Sequence, residues 1–226
     1  MADWIIIRPC FDEPTKFSFE WAQEIVDVMK EKNISHVDLA KEAAIREKVE
    51  AILYENPKIH VIHYDHGDVD KIYGNNGEPV IDLKNNSLLK NREAYNMNCL
   101  SAKKLGVDSY HRYGTTYWGS WEVISFTTDS LDEFMRAMNF GIKMRIDGET
   151  DWNKIMEATI EHDNKIIDEL IGKGKIFAAA LLREDRDARR VWTDKTPPPD
   201  QNSKCFWRNL LLTLFGTRAW RISKPF

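Results

Sequence analysis

Ile59-His60-Val61-Ile62-His63-Tyr64-Asp65-His66-Gly67 and Ala94-Tyr95-Asn96-Met97-Asn98-Cys99 decide the fold. Each is a short β-rich run that closes on a reactive side chain. Runs of this length, bounded by turn residues, read as strands. Trp4-Ile5-Ile6-Ile7 is an earlier run of the same kind, closed by Pro9. Between the runs the period changes. Phe17, Trp21, Ile25, Val28 and Met29 recur every three or four residues and predict a helix over 17–31. Residues 34–40 alternate as a strand. Residues 41–54 are helical, with Ala44, Val49, Ile52 and Leu53 mostly inward, and Pro57 breaks the pattern. Strand, helix, strand, helix, strand is the signature of right-handed βαβ units around a parallel sheet.

The rest of the chain is read in the same way. Residues 68–93 are loop-rich, with a turn at Gly74-Asn75-Asn76-Gly77 and a small hairpin arm at Val80-Ile81-Asp82-Leu83. A strand is predicted over 109–113. Ser130-Leu131-Asp132-Glu133 reads as a capping box and Asp151 as the cap of a long helix. The continuous apolar run from Ile176 to Leu182 reads as a strand buried on both faces. The expected fold is α/β, a three-layer α/β/α sandwich on a mainly parallel six-stranded sheet. Residues 1–195 form the expected α/β domain. Residues 196–226 form a Pro-rich linker, with Pro197-Pro198-Pro199, and a basic C-terminal helix from Ser203 to Leu214 packed on that domain.

Composition narrows the function. A chain of 226 residues that is 42% hydrophobic buries a sizeable core. With 32 Lys and Arg against 36 Asp and Glu, a globally basic nucleic-acid binder is disfavoured. The tail has a local basic excess, with Phe206, Trp207, Phe215 and Trp220 interleaved. Such a mix suits nucleic acid or a membrane surface, but its Leu-rich face argues for packing on the sheet. Three cysteines, at 10, 99 and 205, make no disulfide framework and suit a reducing compartment, the cytoplasm. No stretch is long and apolar enough for a membrane span.

The chemistry rests on His66 and Cys99. Ligands bind beyond the carboxyl ends of parallel strands, so a base and a nucleophile on two such ends can meet across one crevice. A thiol needs a partner to become an efficient nucleophile, and imidazole is the usual one. Gly67 lets its backbone N–H approach a carbonyl, and with the Cys99 N–H it would form an oxyanion hole. Taken singly, a strand-end Cys is commonly a small core residue and a His before Gly a solvated one. The combination of two runs, one closing on His-Gly and one on Cys, carries the reading.

That combination resembles the clan CD cysteine peptidases, which include caspases, legumains, clostripain, gingipains and separases. Their shared pattern is a hydrophobic strand followed by His-Gly, then a second hydrophobic strand followed by the catalytic Cys. Asp65-His66-Gly67 is similar to legumain, and the 33 positions from His66 to Cys99 are similar to gingipains. The resemblance covers roughly residues 3–192. It implies a caspase–hemoglobinase-type fold and a cysteine endopeptidase acting on peptide or protein substrates, with Cys99 as nucleophile, His66 as its partner, and no cofactor. It also implies that Tyr117-Trp118-Gly119-Ser120-Trp121 is a substrate-pocket loop and that Phe177 to Leu182 is the last core strand. Met97, two before the Cys, shares its strand face. With Met97, Tyr117, Trp118 and Trp121 as pocket walls, none of them charged, a neutral residue is expected on the acyl side of the scissile bond (P1). Asn98 stands where most members have a small residue, which keeps open a catalytically inactive relative serving as a binding or regulatory module.

A second constellation competes. His60, His63, Asp65, His66, Asp68 and Asp70 fall within eleven residues, and imidazoles and carboxylates at this density suggest a metal-dependent hydrolase. His63-Tyr64-Asp65-His66 resembles half of the metallo-β-lactamase motif, although Val61 occupies the place of its first histidine. Further ligands would come from His111 or His162.

Overall fold

The computed structural model describes residues 2–199. Its centre is a six-stranded sheet built from β1 (Trp4–Arg8), β2 (His36–Ala40), β3 (His60–Tyr64), β7 (Glu93–Met97), β8 (Thr116–Ser120) and β9 (Arg189–Trp192). The spatial order is β2-β1-β3-β7-β8-β9. Every neighbouring pair is parallel except β8 with β9. Between β3 and β7 the chain leaves the sheet for a small antiparallel arm, β4 (Gly67–Asp68), β5 (Lys71–Tyr73) and β6 (Pro79–Asp82). The expected arm at 80–83 is thus β6.

Both faces of the sheet are covered, which is why its central strands are largely apolar. All five residues of β1 are buried. Alternation sends Ile6, Ile62, Tyr64, Tyr95, Met97 and Trp118 to one core. There they meet α1 (Glu13–Glu31), α4 (Leu131–Ile146), α5 (Trp152–Gly172) and α6 (Ile176–Ala188). Ile5, Ile7, Val61, Ala94 and Tyr117 face the other core, under α2 (Arg46–Glu55), α3 (Leu105–Tyr113) and the arm. This mixed α/β architecture, with helices on both sides of a mostly parallel sheet, is in keeping with a three-layer sandwich. The chain divides after Thr196, one residue beyond the boundary expected from sequence. The tail helix expected over 203–214, and Cys205, lie outside the described residues.

Five expectations are corrected. Residues 109–113 belong to helix α3, not a strand. Gly106 lets that helix lie against β8, for a Cβ there would stand 2.7 Å from the Tyr117 ring. Of residues 117–121, expected as a pocket loop, all but Trp121 lie in the interior strand β8. Residues 176–182 begin helix α6, and the last strand is β9, four residues long and antiparallel. Ala178, Ala179, Leu182 and Asp185 are buried at helical spacing while Ile176 and Phe177 are exposed. An Ala-rich run favours that state. Helix α4 starts where expected, but the Ser130 hydroxyl bonds Asp129 rather than the first-turn amides. The helix expected over 41–54 is a single 3-10 turn at Lys41–Ala43 followed by α2.

Candidate active site

Three adjacent parallel strands, β1, β3 and β7, end side by side, and each delivers polar groups to the same end of the sheet. After β1 the chain turns through Pro9 into Asp12, which caps α1. Asp12 Oδ1 accepts from Thr15 N–H at 2.9 Å and Thr15 Oγ1 accepts from Asp12 N–H at 2.9 Å. Pro14 in the first turn favours helix entry there. After β3 comes Asp65, whose N–H extends the ladder to Met97 O at 3.4 Å, and then His66. After β7 come Asn98 and Cys99. Leu100 follows with φ of 61°, so the chain reverses sharply just past the thiol.

His66-Gly67 is pressed against Asn98-Cys99. A Cβ on Gly67 would stand 2.6 Å from Cys99 O and 2.8 Å from Asn98 Cγ, so glycine is required for this approach. Beneath it lies a polar chain. His63 donates from Nε2 to Tyr73 O at 2.6 Å, and its Nδ1 accepts from Asn98 Nδ2 at 2.8 Å. Burial pulls His63 down to about 4, against the opposing pull of the Tyr73 carbonyl, so it is neutral and holds this tautomer. The chain ties β3, β7 and the arm together at the point where His66 and Cys99 emerge. His63 is the middle of that tie, and Asn98 is its end on the β7 side.

His66 and Cys99 line one cleft of about 600 Å³. His66 Nε2 is 2.7 Å from Asp12 Oδ2. Partial burial opposes ionisation of Asp12, but the Thr15 amide, the His66 ring and the Thr15 hydroxyl together hold its carboxyl below the usual range. Cys99 Sγ accepts from Ile124 N–H at 3.4 Å. Burial pushes the thiol up, and the Ile124 contact only partly offsets this. Ile124 belongs to the segment after β8. That segment is anchored where Ser125 N–H donates to Asp185 Oδ1 at 3.0 Å. Phe126 from the same segment packs edge-on to Phe17 and Trp21 of α1, with centroids at 5.6 and 5.1 Å.

Of the four expected pocket walls, Met97 lines the cleft. Tyr117, Trp118 and Trp121 are not among its walls. Because β8 is an interior strand, both its faces are core. Tyr117 is fully buried under α3. Trp118 stacks on Tyr95 at 5.2 Å on the opposite face. Trp121 meets Trp192 edge-on at 5.9 Å. The walls that sequence reasoning missed are Phe17 and Trp21 on α1 and Ile124 and Phe126 beyond β8. Asp12 was missed as well. Its one local signal is the helix-start pattern Asp12-Glu13-Pro14-Thr15 right after the β1 run.

The alternative metal cluster is not assembled. His60 Nδ1 accepts from Glu93 N–H, His63 serves the buried chain, His66 faces Asp12, Asp68 accepts from Val69 N–H, and Asp70 pairs with Lys71. Among the described residues no three His, Cys, Asp or Glu side chains are grouped to hold a metal ion. No described helix is long and apolar enough to cross a membrane. Comparison of the chain with family models, with curated proteins and with solved structures finds no match.

Proposed function

We propose that the chain is a cysteine endopeptidase with a caspase–hemoglobinase-type fold. One observation carries the reading. His66-Gly67 and Asn98-Cys99 emerge from adjacent parallel strand ends, touch one another, and open onto a single cleft. In the proposed reaction the Cys99 thiol passes its proton to His66 and the resulting thiolate attacks the peptide carbonyl carbon. His66 gives its proton to the leaving amine. Water then cleaves the thioester, releases the acid and restores the thiol.

The backbone supports the oxyanion assignment. His66 O accepts from Tyr73 N–H, so the Gly67–Ile72 pair is the kind in which the Gly67 N–H stands outside the ladder. Among the described residues the Cys99 N–H makes no backbone hydrogen bond. Two amides beside one thiol suit a developing negative charge. Asp12 would act as a positioning residue that holds the imidazole.

A second reading, a catalytically inactive binding module, is favoured by one fact. The thiol is held by Ile124, and its burial favours the neutral form. A fluorogenic peptide library assayed with the full chain and with Cys99→Ala separates the two. Hydrolysis that disappears in Cys99→Ala supports the peptidase. No hydrolysis, with no alkylation of Cys99 by peptidyl chloromethyl ketones, supports the binding module.

A further inference from the structure

Asp65 lines the cleft and is 7% exposed, yet among the described residues neither carboxyl oxygen has a hydrogen-bond partner. Among the described residues it forms no ion pair, and the charge acting on it is the like-signed Asp12 carboxylate. Burial lifts its carboxyl to about 8, and the nearby His66 backbone amide, outside hydrogen-bond geometry, offsets this only in part. A buried carboxyl without a partner is costly. Such a group calls for an explanation, and a ligand that completes it is one.

The rest of the cleft says what that something is. Among the described residues its charged walls are Glu13 and Asp65, its one imidazole is engaged by Asp12, and no Lys or Arg lines it. Phe17, Trp21 and Phe126 form an aromatic wall. An aliphatic stem packs on such a wall while its cationic head reaches a carboxylate. A neutral ligand leaves the carboxyl orphaned, and an anionic one adds repulsion from Asp65 and Glu13.

Resting on the peptidase reading, we propose that the cleft binds a cation on an aliphatic stem, with Asp65 as its charge partner, and so selects arginine or lysine at P1. This replaces the neutral P1 expected when Tyr117, Trp118 and Trp121 were the walls. Both Asp65 oxygens are shielded from solvent, so a cation reaches them as the carboxyl turns into the cleft, and the ion pair so formed would ionise it.

The test uses the full chain and three peptidyl chloromethyl ketones that differ only at P1: arginine, its neutral isostere citrulline, and leucine. Alkylation of Cys99 is followed by mass spectrometry. Agmatine, the cation and stem without a peptide, is titrated by calorimetry into the wild type and Asp65→Asn. The arginine compound is expected to label about 100-fold faster than citrulline, because a site built for a buried polar partner rejects an analogue that lacks it. Asp65→Asn is expected to abolish that preference and weaken agmatine at least about tenfold. Labelling of Cys99 at one rate by all three compounds overturns the proposal and leaves the peptidase reading standing. No labelling by any compound, with agmatine binding that depends on Asp65, retains the cation site and overturns the peptidase reading. Wild-type protein that does not bind agmatine overturns the proposal.

Discussion

His66 Nε2 and Asp12 Oδ2, separated by 54 residues in sequence, stand 2.7 Å apart at the mouth of the cleft that holds Cys99. The acid is fixed from behind by the cap of a 19-residue helix, so it is an anchored partner for the ring. Two substitutions separate its two jobs. Asp12→Asn keeps a competent cap, so stability should change by less than about 0.5 kcal/mol. Hydrolysis should still lose about tenfold to a hundredfold in kcat with KM near unchanged, as expected when a base loses its orienting charge. Asp12→Ala should lose the same activity and about 1 kcal/mol of stability besides. Equal kcat in Asp12→Asn and wild type would reduce the pair to a surface contact.

Gly67 bears on both the fold and the site. Its missing Cβ lets the arm lie on the carbonyl of Cys99, and backbone cannot swing aside as a long side chain can. Gly67→Ala should cost about 1–3 kcal/mol by overpacking. It should also push Cys99 away from His66, so hydrolysis should fall more than the stability loss explains. Urea denaturation and kcat/KM on the same preparation check this. A variant of normal stability and activity would mean that the strand ends are not in contact in solution.

Asp65 predicts a pH dependence of stability. Its folded-state value, about 8, lies above the ordinary carboxyl value of 3.8. The folded state therefore holds a proton that the unfolded chain gives up. The stabilisation from this group is full below pH 3.8 and is lost as pH rises through about 8. Of the charged groups around it, Asp12 adds repulsion to that trend. Asp65→Asn keeps the shape and cannot ionise. Melting temperatures of wild type and variant should match near pH 4 and diverge upward, with the variant more stable by pH 8. A constant difference across that range would show that Asp65 finds a cationic partner within the chain.

The parts of this fold that were legible in sequence are those where one period decides. The runs ending at Tyr64 and Met97 are too short for a helix and are bounded by turn residues. His66 and Cys99 therefore landed on strand ends as read. The run from Ile176 to Leu182 is apolar all along, and such a run does not distinguish a buried strand from a helix packed on a sheet. Its three alanines were the available clue. Tyr117, Trp118 and Trp121 were misplaced for a related reason. Aromatics near a site read as pocket walls, but an interior strand uses them to fill both cores. Asp12 and Ile124 reach the site by tertiary contact alone, and no local pattern announces such a meeting.

The segment after β8 yields the last prediction. Asp185 is 2% exposed and holds Ser125 N–H with one oxygen, while the other has no partner among the described residues. Through Ser125 it fixes Ile124, whose N–H contacts the Cys99 sulfur, and its charge adds to the forces that keep the thiol protonated. Asp185→Ala removes both effects together. Iodoacetamide, small enough to need no ordered cleft, should alkylate Cys99 several-fold faster at pH 7 while Cys10 keeps its rate. Peptide hydrolysis should move the other way and fall about tenfold or more, because Ile124 and Phe126 would no longer hold the cleft in shape. Opposite signs in the two assays are the signature. A fall in both rates would show that Asp185 supports the fold as a whole, and unchanged rates would show that Ile124 does not restrain the thiol.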